Sequence, residues 1–217
     1  MKKLSILFIT LLLSITISGQ NTTSKAKQLL DEVSTKMGAY DNMKIAFSST
    51  LTNDEVGITD DPPIRGNIML QGEKYNLDYL GNTFIFDGNK LYIINNEDKE
   101  ISINDGDMEE QDGFIYPSKL LTFYKEGYNF KMGALKTIKG RKVQYVDLTP
   151  IDSNSDITKV QLGVDAKTKH IYKLIQVGSN GSKTTFTINQ FKSNQTISEK
   201  LFTFDKAKYL KQNYLID

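Results

Sequence analysis

The chain has no cysteine, no tryptophan, a single histidine and no excess of either charge, 27 lysines and arginines standing against 26 aspartates and glutamates. Without cysteine no disulfide can brace the fold, even in an oxidising compartment, and no lipid can be attached at a cysteine behind a signal segment. Without a charge excess there is no broad field to draw in nucleic acid or an anionic membrane. The lone His170, in "DAKTKHIYK", has no acid or cysteine organised around it, so a triad or zinc site has little basis and the residue reads as an exposed turn histidine. No glycine-rich loop is present to cradle phosphate, and the Asn-Gly-Ser at 180–182 reads as a turn. The acidic run Asp105, Asp107, Glu109, Glu110 and Asp112 lacks the central glycine of a calcium loop, and Tyr116 stands where a bidentate Glu would close one. These absences point away from an enzyme and leave no catalytic residue, metal ligand or cofactor to name.

Greasy segments are what the chain has instead. It opens with "MKKLSILFITLLLSITISGQ", two lysines, an apolar stretch and the small residues Ser18 and Gly19, which is the layout of a cleaved secretory signal. The apolar stretch is short for a membrane span of about 20 residues. The expectation is a signal peptide over 1–19 and a soluble, exported chain over 20–217, of a size suited to one domain. Apolar residues make up 39% of the chain, with 11 Tyr and 11 Phe, enough to fold a β-rich core.

In "SKAKQLLDEVSTKMG", Ala26, Leu29, Leu30, Val33 and Met37 recur at helical spacing behind a Ser24 cap, with Gly38 placed to stop the helix. From Met43 the period changes to two, and short turns such as Gly81-Asn82, Asp87-Gly88-Asn89 and Lys139-Gly140 separate about eleven strands of an antiparallel meander. Phe47, Leu51, Ile68, Leu70, Leu77, Tyr79, Phe84, Phe86, Leu91 and Ile93 fall on the face expected to point inward. Between the sixth and seventh strands, Pro117 through Glu126 reads as an inserted helix with Leu120, Leu121 and Tyr124 on one side. The class is α+β: a curved antiparallel sheet with helices on its concave face.

The order of these pieces, "AKQLLDEVS", "MKIAFSSTLT", "GNIMLQGEKYNLDY", "FIFDGNKLYIINNEDKEI", "YPSKLL" and "VQLGVDAKTKHIYKLIQV", resembles the outer-membrane lipoprotein carrier protein family, LolA, across the whole mature chain. The most characteristic piece is "FDGNKLYIIN" at 86–95, similar to the family's strand, Asp-Gly turn and following strand. The resemblance implies an incomplete, half-open β-barrel of about eleven strands with a helical lid. It also implies a monomeric periplasmic chaperone that carries acylated lipoproteins from an inner-membrane lipoprotein-releasing ABC transporter to an outer-membrane acceptor, with no nucleic acid involved. The inward-facing strand residues above would then line the acyl-chain cavity, and Leu29, Leu30, Val33, Leu120 and Leu121 would form the lid. An alternative with the same architecture is a periplasmic lipid- or lipoprotein-sensing module that regulates a protein partner and carries nothing. The best-known relatives latch the lid with an arginine soon after the second strand; here the nearest cation is Lys74, which lacks the planar fork of a guanidinium.

Overall fold

Period-two alternation broken by short polar turns builds one sheet from two meanders. The computed structural model describes residues 22–59, 61–106, 119 and 122–217. One meander comprises β1 (Met43–Thr52), β2 (Ile64–Gln71), β3 (Lys74–Tyr79), β4 (Asn82–Phe86), β5 (Lys90–Asn95) and β6 (Glu100–Asp105). The other comprises β7 (Tyr128–Ile138), β8 (Arg141–Pro150), β9 (Ile157–Asp165), β10 (Ile171–Gly178) and β11 (Lys183–Ser193). The two join by antiparallel pairing of β1 with β11, and a short β12 (Leu215–Ile216) adds in parallel to β6, giving the order β12-β6-β5-β4-β3-β2-β1-β11-β10-β9-β8-β7. The two ends of this order are not paired, so the sheet is open.

Local chemistry sets the tight turns. Between β4 and β5 the Asp87 carboxylate accepts from the backbone N–H groups of Asn89 and Lys90, each at 2.8 Å, and from the Tyr92 hydroxyl at 3.1 Å. Gly88 supplies the left-handed φ of 97° that this turn requires. These bonds hold the Asp87 carboxyl below its ordinary range against the opposing effect of burial, the largest single influence on it.

The helix, α1, runs over residues 22–38. Since it is already helical at residue 22, Ser24 lies within it and does not cap it. Ala26, Leu29, Leu30, Val33 and Met37 are each at most 7% exposed. They share one cluster with side chains from β1 through β5 and from β8 through β10, with β7 and β11 packed at its margin. Strands from both halves of the sheet reach one helix, so the sheet curls round α1 as a half-open barrel.

The C-terminal segment was invisible to the strand pattern. A 3-10 turn at Glu199–Phe202, the helix α2 (Lys206–Lys211) and β12 lie on the opposite, outer face. There Ile85, Ile94 and Ile101 are buried with Tyr92, Phe204, Tyr209 and Tyr214 around them, and the Tyr92 and Phe204 rings stack at 4.5 Å. This explains why Phe84, Ile85 and Phe86 in β4 and Leu91 to Ile94 in β5 are apolar at consecutive positions: both faces of these two strands are covered. Among the described residues there are thus twelve strands where eleven were expected. Of the inserted helix expected over 117–126, Phe123–Lys125 forms a 3-10 turn, while Leu120, Leu121 and Pro117 lie outside the described residues. The signal segment over 1–19 and the acidic stretch from Asp107 to Asp112 also lie outside them.

One glycine in a strand has a steric reason to be there. Gly66 faces Phe47 across the β1–β2 ladder, and a Cβ at Gly66 would stand 2.2 Å from the Phe47 ring. That ring is itself held between Tyr79 and Phe186 at centroid distances of 5.4 and 6.0 Å. Gly66→Ala should therefore lower stability by about 1–3 kcal/mol, the usual range for overpacking. Urea unfolding of the single variant and of Gly66→Ala combined with Phe47→Ala checks this, because truncating the ring should leave the added methyl without further cost.

Candidate functional site

The inner face of β1 to β5 is ordered in cross-strand rows. Met43, Leu70, Tyr75, Phe86 and Leu91 are register partners in sequence across five strands, and all are buried. The next row, Ile45, Ile68, Leu77, Phe84 and Ile93, is buried over its first three members and half-buried at the last two. Phe47, Tyr79 and Phe186 follow as a half-buried aromatic triangle. Leu51, at the far end of β1, is 45% exposed. Along the inward side of β1, Met43 and Ile45 are 7% and 2% exposed, Phe47 is half-buried and Ser49 is 3% exposed, so this apolar face is dry under α1 and meets solvent only at the aromatic triangle and Leu51.

All ten strand residues expected inward are thus accounted for: nine belong to or pack on the central cluster, and Leu51 stands apart at the rim. Leu29, Leu30 and Val33 lie in the same cluster, so the helix covers the dry end as the spacing predicts. Phe186, Ile188 and Phe191 of β11 complete the face and had not been assigned to it. Their spacing of two and then three marks the ladder slip beside Ala46 and Phe47, a bulge signal that could have placed them.

Polar contacts tie α1 and the Tyr40 segment that follows it to the rest of the fold. The Tyr124 hydroxyl donates to the Leu30 carbonyl at 3.1 Å, Lys169 pairs with Glu32 at 2.8 Å, and the Tyr40 hydroxyl lies 2.8 Å from His170 Nε2. Lys74 takes no part in them. It pairs with Glu199 on the outer face at 3.7 Å, so it does not stand in for a lid-latching arginine. His170 is likewise no exposed turn residue: it is half-buried with its ring 4.2 Å from that of Phe191. Among the described residues no three His, Asp or Glu side chains are grouped as metal ligands, and no helix is long and apolar enough to cross a membrane.

Residues 74–205, more than half of the chain, match the family model described as outer membrane lipoprotein carrier protein LolA. The chain belongs to the LolA family. Comparison with curated protein sequences gives no match. Among solved structures, an uncharacterised conserved protein from Thermus thermophilus shares the fold at a TM-score of 0.59 and 7% identity, over 89% of this chain and 98% of that one. A LolA superfamily protein from Nitrosomonas europaea aligns at a TM-score of 0.44 and 11% identity, over 82% of this chain and 97% of that one. An outer membrane lipoprotein-sorting protein domain from Vibrio parahaemolyticus aligns at 0.46 and 12% identity, over 88% and 98%.

In this LolA-family chain the one histidine lies where helix meets sheet. Burial lowers the His170 pKa, and the nearby charge of Lys36 adds to the effect. The unfolded chain then binds the proton at higher pH than the folded one. The stabilising contribution is complete above the ordinary histidine value of about 6.5 and is lost as pH falls through the folded value. Glu32, Asp87 and Asp165 also have lowered values, but carboxylates act in a window further to the acid side. Between about pH 7 and pH 5 the denaturant midpoint should fall, and His170→Gln should flatten that fall. Parallel pH profiles for the two proteins would contradict it.

Proposed function

We propose that this protein is a periplasmic lipoprotein carrier, which holds acyl chains against the inner face of β1 to β5 and β11 and passes them from an inner-membrane exporter to an outer-membrane acceptor. The observation that carries this reading is the continuous apolar face, dry beneath α1 and half-buried at Phe47, Tyr79 and Phe186. Each methylene leaving water is worth about 0.8 kcal/mol, so a multiply acylated anchor cannot cross an aqueous compartment uncovered. A lining of aliphatic and aromatic side chains covers such chains without directional bonds that would have to be broken at release.

The export step rests on residues 1–19. In cells carrying the gene, the mature chain should be recovered from the soluble periplasmic fraction with its N-terminus near Gln20. N-terminal sequencing that finds Met1 retained in a membrane fraction would overturn this part of the proposal.

The binding step is tested on the purified mature protein. An environment-sensitive apolar dye should bind and be displaced by a triacylated lipopeptide. Phe186→Glu places a charge on the open apolar face and should weaken both ligands about tenfold or more, the equivalent of one buried aromatic side chain. Normal folding with no dye bound by the unmodified protein would mean that the inner face is an ordinary closed core.

A further inference from the structure

One polar pair interrupts the apolar face at its open end. Ser49 is only 3% exposed, and its Oγ lies 2.7 Å from the Tyr79 hydroxyl. Ser49 occupies the inward position of β1 directly after Phe47, opposite Phe186 of β11. The next row on the same face is Leu51, Thr184 and Gln176, so polar side chains enter the lining on the β10 and β11 side of its rim.

Two hydroxyls bring two hydrogens, and a bond between them uses one. Whichever donates to the other, the second hydrogen has no acceptor among the described residues, since neither hydroxyl makes a further hydrogen bond there. A donor placed in largely apolar surroundings is costly to leave unmatched and well suited to a ligand that offers only an acceptor. Tyr79 is half-buried, so the pair can be reached from the open end of the face.

We infer that Ser49 and Tyr79 form a subsite for an acyl carbonyl, the ester oxygen at the root of a fatty chain whose methylenes lie towards the dry end. This rests on the acyl-binding reading above and adds to it a ligand class and an orientation: a carbonyl-bearing acyl chain, entering hydrocarbon first, with its ester held at the rim. The hydroxyl pair sets how deep the chain goes. An alkane of equal length, with no acceptor, would lack that register.

The test compares a diacylglycerol with its dialkyl ether analogue of equal chain length, each displacing the apolar dye. The unmodified protein should prefer the ester by about threefold to tenfold, the range for one hydrogen bond to a neutral acceptor. Ser49→Ala and Tyr79→Phe should each bring the two ligands to within about twofold of each other, and a cooperative urea transition of each variant shows that it folds. Equal binding of ester and ether by the unmodified protein keeps the apolar cavity but overturns the subsite. Binding of neither ligand overturns the cavity and the subsite together, and a persistent ester preference in both variants assigns the carbonyl elsewhere and overturns the subsite.

Discussion

Most sheet contacts join strands that follow one another in sequence, and such meanders form with little loss of loop entropy. The ladder from Met43↔Ser193 to Thr52↔Lys183 is different: it joins the first strand to the eleventh. Closing so long a loop is entropically unfavourable until the contacts that reward it are in place. Those contacts are on the inner face, where Ile45 meets Phe191, Phe47 meets Ile188 and Ser49 meets Phe186. Without this seam the two meanders would each leave one apolar face wet. With it, both faces turn towards α1, and the same residues that reward the seam form the floor of the proposed cavity.

An open sheet has edges, and edges invite pairing with other chains. The β6 edge is taken by β12, whose Leu215 and Ile216 pair in parallel with Glu100 and Ile101. The β7 edge is broken by the register shift between Met132 and Leu135 and carries Lys131 and Lys136. A bulge and lysines are both recognised means of blunting an edge. The barrel can therefore remain half-open, as a cavity needs, while neither edge is a long flat template.

The inner face was legible in the sequence because period two survives wherever one side of a strand is buried and the other is wet, as in "GNIMLQGEKYNLDYL". The helix was legible for the corresponding reason at period 3.6. The C-terminal cover was not: "LFTFDKAKYLKQNYLID" has aromatic residues without a clean period, and its partner surface is made of Ile85, Ile94 and Ile101, distant in sequence. His170 was misread on the same ground, since nothing adjacent in sequence announces Tyr40 or Phe191. In the sequence Ser49 is one of three consecutive hydroxyl residues, "SST", and only the ladder register and the Tyr79 contact give it an inward role.

The same bookkeeping bears on how a carrier could be both tight and reversible. Leu29, Leu30 and Val33 already fill the dry end of the inner face, so an acyl chain entering there does not occupy empty space. It replaces aliphatic side chains by methylenes of similar value per unit area, and the gross hydrophobic gain largely cancels. What remains is the difference in packing plus the cost of releasing α1 from Tyr124 and Lys169. The Lys169–Glu32 pair is partly exposed, with side-chain exposures of 38% and 40%, and such surface pairs contribute little. The helix is therefore held chiefly by apolar contacts that cargo can substitute one for one. In the carrier reading, that near-balance between covering the acyl chain and uncovering the helix face is what allows uptake at one membrane and release at the other.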